Sequence, residues 1–248
     1  MLGAALLATP WVQACEHPLR VVFGHMPPFI ARQADGEYGG VEVELLRAIV
    51  SQAGCTLEVL NDLPRKRRYA MFLKGDLDIL LAASLTEERQ RIAWFTAPYR
   101  QETTSLFVLA DKAAALRDIK SLGELIDKQA TLLSLNLGWF GADYETQLPR
   151  LRAAHRVSHF ENLRQGLSML AARRGDVLMS DRIATLYEAR QRGLNLVELG
   201  YTPAREPVHL MLSRKSISEA DWRSLNAAVL LLEERGVLRE IRNRYGLR

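Results

Sequence analysis

Beyond the first fifteen residues, apolar and polar positions alternate between two periods. Residues 19–23 are a short apolar run that ends in a turn with Pro27 and Pro28, and they read as a strand. From Gly40, the apolar positions Val41, Leu45, Leu46, Ile49, Val50 and Ala53 follow helical spacing until Gly54 ends the run. Residues 56–60 predict a strand, and 65–74 a helix stopped by Gly75. Residues 77–83 are almost wholly apolar, as expected for a parallel strand covered by helices on both faces. The second half repeats this grammar. A strand is predicted over 130–135, and a helix over 138–148 stopped by Pro149. Another helix over 161–173 carries Leu163, Leu167, Leu170 and Ala171 on one face, and a strand over 177–180 follows. Residues 207–213 read as extended. Residues 218–234 form an amphipathic helix through Trp222, Leu225, Val229 and Leu232, and Gly236 separates it from a last short helix over 237–245. Alternating strands and helices argue an α/β fold.

The two halves echo one another. Lys74-Gly75-Asp76, an apolar strand and Ser84 correspond to Arg174-Gly175-Asp176, an apolar strand and Ser180-Asp181. Both strands end in polar residues, and open α/β sheets bind ligands outside the carboxyl ends of their strands. No Pro/Gly/Ser linker separates the halves, so the chain is expected to cross between two lobes more than once, with short strands as hinges.

Composition narrows the class. With 248 residues, 48% hydrophobic and 25% charged, the chain is neither disordered, collagen-like nor coiled-coil. The net charge of +4 is dispersed apart from Arg65-Lys66-Arg67-Arg68, so no nucleic-acid partner is expected. Residues 1–15 carry no charged side chain. They are too short to span a bilayer but fit the apolar part of a secretory signal, with Val12-Gln13-Ala14 as the cleavage site. The basic n-region is missing, and a buried N-terminal strand or helix is the alternative. A soluble mature protein is expected. Cys15 and Cys55 each precede a predicted strand, and if those strands are parallel neighbours the two starts lie close enough for a disulfide. Cys15 as a lipidated first residue and Cys55 as a buried thiol are the competing readings.

The richest candidate chemistry lies in Ser84-Leu-Thr-Glu-Glu-Arg89. Thr86 fits an N-cap, with Glu87 and Glu88 in the first helical turn where the dipole favours acids. Arg89 puts a cation there instead, which suits a carboxylate clamp assisted by the Ser84 hydroxyl, or a plain surface ion pair. No nucleophile elbow, phosphate loop or metal cluster is present, and neither cofactor nor metal is expected.

Several segments in order carry a resemblance: Met26-Pro-Pro-Phe29, Gly39-Gly-Val-Glu-Val-Glu-Leu, Gly75-Asp-Leu-Asp78, Ser84-Leu-Thr-Glu-Glu-Arg89 and Phe95-Thr-Ala-Pro-Tyr99. The chain resembles extracytoplasmic solute-binding proteins of family 3, the polar-amino-acid receptors of ABC importers. The resemblance implies the two-lobed periplasmic binding protein type II fold, with two hinge strands and a ligand closed between the lobes. Lobe 1 is expected over 15–105 plus 208–248 and lobe 2 over 106–207, after a truncated signal peptide at 1–14. By the same resemblance, Arg89 grips the ligand carboxylate beside the Ser84 hydroxyl. The Ala82 carbonyl meets the ammonium, Asp181 receives that ammonium from the second lobe, and Met26 and Phe29 join the ligand-binding set. Asp181 also reads as the N-cap of the next helix. Two departures stand out. Arg65 occupies the place of a stacking aromatic, which favours an acidic or polar ligand if it faces the cleft rather than solvent. Ser134-Leu-Asn-Leu-Gly138 replaces a small carboxylate cradle, leaving Asn136 as a side-chain contact and Trp139 as a pocket wall or packing residue. The implied protein is a monomeric periplasmic receptor whose partners are a small amino-acid-like solute and an importer permease. A cyclohexadienyl dehydratase-like enzyme on the same fold, with His25 as an acid or base, and a ligand-sensing domain are the alternatives.

Overall fold

The computed structural model describes residues 15–247. The expected signal segment at 1–14 therefore lies outside the described residues. Strand β1 (Leu19–Val22) leads through a small hairpin of β2 (Ala31–Arg32) and β3 (Tyr38–Gly39) into α1 (Val41–Gln52). Next come β4 (Leu57–Leu60), α2 (Arg65–Lys74), β5 (Ile79–Ala83), α3 (Glu87–Ile92), β6 (Ala93–Phe95) and β7 (Arg100–Leu109). The middle holds two short helices, α4 (Ala113–Leu116) and α5 (Glu124–Asp127). They precede β8 (Leu132–Leu135), α6 (Ala142–Ala153), β9 (Val157–Phe160), α7 (Leu163–Ala171), β10 (Val177–Asp181) and α8 (Arg182–Gln191). The chain closes with β11 (Leu196–Glu198), β12 (Ala204–Ser213), α9 (Glu219–Glu234) and α10 (Val237–Arg244).

The strands run in the order β4-β1-β5-β12-β7-β10-β8-β9, with β6 beside β12 and β11 beside β7. The β4-β1-β5 and β10-β8-β9 groups are each parallel, and helices cover them. Their junction is two ten-residue antiparallel strands that change partners midway. Strand β12 pairs with β7 from Ala204 to Val208, and with β5 and β6 from His209 to Ser213. Strand β7 pairs with β12 up to Thr104 and with β10 from there to Phe107. The crossing elements are thus two long strands rather than the short ones expected, because one continuous ladder satisfies the backbone on both sides of the crossing.

Most predicted elements hold, with ends set by local chemistry. The apolar stripe of α1 buries Leu45, Leu46 and Ile49 against Leu225 and Val229 of α9. Ser218 and Asn162 cap α9 and α7 by accepting from the N–H groups of Asp221 (3.2 Å) and Gln165 (3.0 Å). Gly75 ends α2 in the left-handed region at φ 85°. The helix expected over 138–148 instead spans Ala142–Ala153 and continues through Pro149. Gly141 makes the entry turn at φ 96°, where a Cβ would lie 2.6 Å from the Pro203 carbonyl. Pro149 removes only one intrahelical donor, and burial of Tyr144 and Leu151 holds the remaining turns.

The Cys15–Cys55 disulfide is present, with the Cα atoms 5.0 Å apart. Parallel pairing of β1 with β4 brings their starts together, as the spacing required. The bridge engages the Cys15 Sγ that a thioether-linked lipid would need, and it leaves Cys55 no free thiol.

Candidate functional site

The ends of β5 and β10 lie beside the crossing strands, Ala83 opposite His209 of β12 and Asp181 opposite Thr104 of β7. On the β5 side, Ala82 adopts φ 50°, a left-handed conformation costly for a residue with a Cβ. It is held there because its N–H donates to the Tyr99 hydroxyl at 2.8 Å. The chain then turns through Ser84 into α3. Thr86 Oγ1 accepts from the Arg89 N–H at 3.3 Å, and the Arg89 guanidinium donates to the Ser84 carbonyl at 3.1 Å. Arg89 is therefore anchored at the strand end and forms no ion pair among the described residues. Burial lowers its pKa, while Tyr69 and Glu88 act in the opposite sense.

Helix α2 contributes a second group of cations. Positions 65, 68, 69 and 72 share one helical face, and Phe72 anchors that face in the core. Arg65 is exposed to solvent, yet protein groups crowd its guanidinium. That crowding pushes its pKa down to about 10; the Arg68 and Arg89 charges add to the fall, and Glu102 and Glu161 oppose it. The same influences place Arg65, Arg68, Arg89, Glu102 and Glu161 within one electrostatic neighbourhood. Arg68 is half-buried against Gly24, where a Cβ would lie 3.0 Å from its Nη1. Its Nε is buried without a hydrogen-bond partner among the described residues.

The end of β10 is acidic. Asp181 ends β10 and caps α8, accepting from the Ala184 N–H at 2.7 Å. Its carboxyl is pushed up to about 7 by burial and then by Glu102, against the pull of the Ala184 N–H and Arg100. Both roles read for Asp181, strand-end acid and helix cap, thus fall on one side chain. Asn136 follows β8 and donates to Glu161 at 2.8 Å, beside the end of β9. Trp139 donates to Glu145 at 3.4 Å, which directs its indole toward α6.

Beneath these groups lies a buried network at the start of β7. Arg100 Nε donates to Glu42 at 2.7 Å and its Nη2 to Glu102 at 3.2 Å, and the Tyr99 hydroxyl donates to Glu42. Burial works against the Arg100 charge, but Glu42 and Glu102 hold it protonated. The Arg100 guanidinium lies 4.5 Å over the ring of Phe29, which is only 1% exposed. Phe29 therefore sits beneath the site as support for Arg100, while Met26 is half-buried at the turn above it. Glu42 carried a readable signal, since it is an acid at a position sharing the apolar face of α1 with Leu45 and Leu46. Tyr99 stood out only as the end of the Phe95-Thr-Ala-Pro-Tyr99 motif, and Arg100 and Glu102 gave no signal, because the network forms only once the strand meets α1.

His25 lies 3.7 Å from the buried Glu188 of α8, which also meets Arg164 and Arg192 at 3.5 Å. Burial and then Arg164 lower the His25 pKa, so it is neutral at physiological pH. Two surface hollows lie elsewhere, one lined by Leu109, Lys112, Arg173 and Asp176 and the other by Ala113, Val197 and Gly200. The charges of the first are already paired, Lys112 with Asp176 and Arg173 with Asp111, so the strand ends hold the more reactive chemistry.

Two continuous strands joining two parallel sheet groups define a bilobal α/β architecture. The chain belongs to the bacterial extracellular solute-binding proteins, family 3, which it matches over residues 19–248. It is 25% identical over 198 residues to the cyclohexadienyl dehydratase of Pseudomonas aeruginosa, covering 75% of this chain and 70% of that one. In fold it is similar to an ancestral arginine-binding protein bound to arginine, with TM-score 0.75, 21% identity, and 93% and 98% of the two chains covered. It is equally similar to the P235GK mutant of ArgBP from T. maritima, with TM-score 0.75, 17% identity and coverage of 92% and 94%.

Proposed function

We propose that this protein is a periplasmic receptor that captures a small amino-acid-like solute between its lobes for an ABC-importer permease. It acts as a monomer, with lobe 1 formed by 15–105 plus 208–248 and lobe 2 by 106–207. Arg89, with Ser84, takes the ligand carboxylate; Asp181 and the Ala82 carbonyl take the ammonium. Arg65, Asn136 and Met26 face the rest of the ligand, and Phe29 supports them from below. What supports this reading is that Arg89, at the β5 side, makes no ion pair among the described residues, while the buried Asp181 carboxyl ends β10, and both strand ends pair with the crossing strands β12 and β7. A zwitterion gives each of those charges a partner. Hinge closure then removes the pair from water.

The test is a thermal-shift screen of amino acids and small carboxylates, followed by calorimetry on each hit. Arg89→Ala should lose about 100-fold in affinity or more, as expected for a desolvated charge-assisted contact. Retained affinity in that variant sinks the assignment. A second reading, a dehydratase on this fold, is favoured by the relative from P. aeruginosa and by Asp181, whose carboxyl still holds a proton near neutral pH. Product analysis of each hit separates the two, since a receptor returns its ligand unchanged.

A further inference from the structure

The receptor reading gives Arg89 to the ligand carboxylate and turns Arg65 toward the rest of the ligand, but it names no group for Arg65 to bind and leaves Arg68 unassigned. Arg65 and Arg68 make no hydrogen bond and no ion pair through their side chains among the described residues. Two other guanidinium groups held in the fold are matched: Arg20 is bound by Asp78 and the Gly75 carbonyl, and Arg100 by Glu42 and Glu102. The acids around the unmatched pair stand off. Glu102 is engaged with Arg100 and Glu161 with Asn136, while Asp62 reaches Arg68 only through its field.

Local structure compounds the charge. Arg65, Lys66 and Arg67 open α2, whose first turn has no acid and whose N-cap, Pro64, offers no side-chain acceptor. Cations at that end oppose the helix dipole, so an anion bound there relieves both the dipole and the guanidinium groups. The i, i+3 spacing puts Arg65 and Arg68 on one face, and Phe72, one turn on, is fixed in the core, so that face cannot rotate away. Arg65 also lies within the field of Arg89.

We propose that Arg65 and Arg68 form a second anion subsite, so that the ligand carries two anionic groups, as an acidic amino acid does. This rests on the assignment of Arg89 to the first carboxylate. The side-chain carboxylate of the ligand docks against Arg65, with Arg68 behind it. The ammonium remains on the Asp181 side.

Binding is measured by calorimetry for L-glutamate, L-aspartate, their amides L-glutamine and L-asparagine, L-arginine, and glutarate. The proteins are the wild type, Arg65→Gln/Arg68→Gln and, as a control, Lys66→Gln, whose side chain is exposed on the same helix. In the wild type an acid should bind about tenfold or more tighter than its amide. In the double variant that ratio should fall toward one, while in Lys66→Gln it should persist. Because the ratio is taken within each protein, a loss of folded fraction does not imitate the result. An amide or arginine binding the wild type as tightly as the acids overturns the proposal, as does a ratio that survives the double substitution or no binding across the panel. Amino acids binding without charge preference would leave the amino-acid reading standing alone. Glutarate binding as tightly as glutamate would remove the ammonium assignment and keep the dianion.

Discussion

Acidification from about pH 7.5 to about pH 5.5 should weaken an amino-acid ligand by roughly 30-fold without unfolding the protein. The cause is Asp181. Burial and the nearby Glu102 hold its carboxyl up to about 7 in the free protein. A ligand ammonium placed beside it favours the ionised form and brings the pKa down, so below pH 7 binding must release a proton. Stripping that proton at a pH about 1.5 units below the pKa costs about 2 kcal/mol, at roughly 1.4 kcal/mol per unit. The folding linkage has the matching sign. The pKa is raised from 3.8, so the contribution of Asp181 to stability is fully present below that ordinary value and is lost as pH rises through about 7. Asp181→Asn should therefore raise thermal stability above pH 7, since Asn still caps α8 by accepting from the Ala184 N–H. The same variant should bind weakly and lose the pH dependence. Calorimetry in two buffers of different ionisation enthalpy counts the released proton directly. A carboxylate ligand without an ammonium provides the control and should not weaken on acidification. Amino-acid affinity that stays flat or rises as pH falls, or proton uptake on binding, would refute the assignment.

Two further outcomes test the framework under the site. Reducing the Cys15–Cys55 bridge, which spans a sequence separation of 40, should cost about 4 kcal/mol on the chain-entropy account; an unchanged urea midpoint with and without reductant would show that the bridge adds nothing. Glu42→Gln leaves Arg100 short of its main counter-charge and should cost about 3–5 kcal/mol, with part recovered in Glu42→Gln/Arg100→Met. A single-variant loss under about 1 kcal/mol in urea unfolding would mean that Glu102 alone suffices.

The buried network also explains how a site built from strand ends holds its shape. Arg100 opens β7 and is locked to Glu42 on α1, to Glu102 and to the face of Phe29. Its neighbour Tyr99 fixes the strained Ala82 through its hydroxyl, and the Tyr99 carbonyl accepts from Arg242 of α10 at 2.8 Å. The root of the crossing strand is thus tied to three helices or strand ends at once. The partner change at Thr104 comes four residues later, where β7 leaves β12 for β10. Rotation between lobes is expected near that change, with the Arg89 side kept rigid.

By itself, the sequence determined the fold class and the handful of residues whose chemistry is local. Periodicity marks α1, α7 and α9, because a helical stripe is written at spacings of three and four. The apolar run of β5 is legible because both of its faces are covered. Thr86 and Asp181 announce themselves as caps, since capping needs only a neighbour three residues away. Even the disulfide was readable, as parallel strands place their starts side by side. Tertiary structure decided what depended on distant pairing. Arg65 reads equally as a solvated helix start or a cleft residue, and only the fold brings Arg89, Glu102 and Glu161 within its electrostatic reach. Phe29 belongs to a motif read for the ligand, and only the fold packs its ring under the Arg100 guanidinium, 71 positions along the chain. Pro149 reads as a helix stop because the burial of Tyr144 and Leu151 that overrides it is invisible locally. The charge of Asp181 follows the same rule. Its identity is in the sequence, but the burial and the Glu102 carboxylate that hold its proton near neutral pH exist only once β7 and β10 are paired.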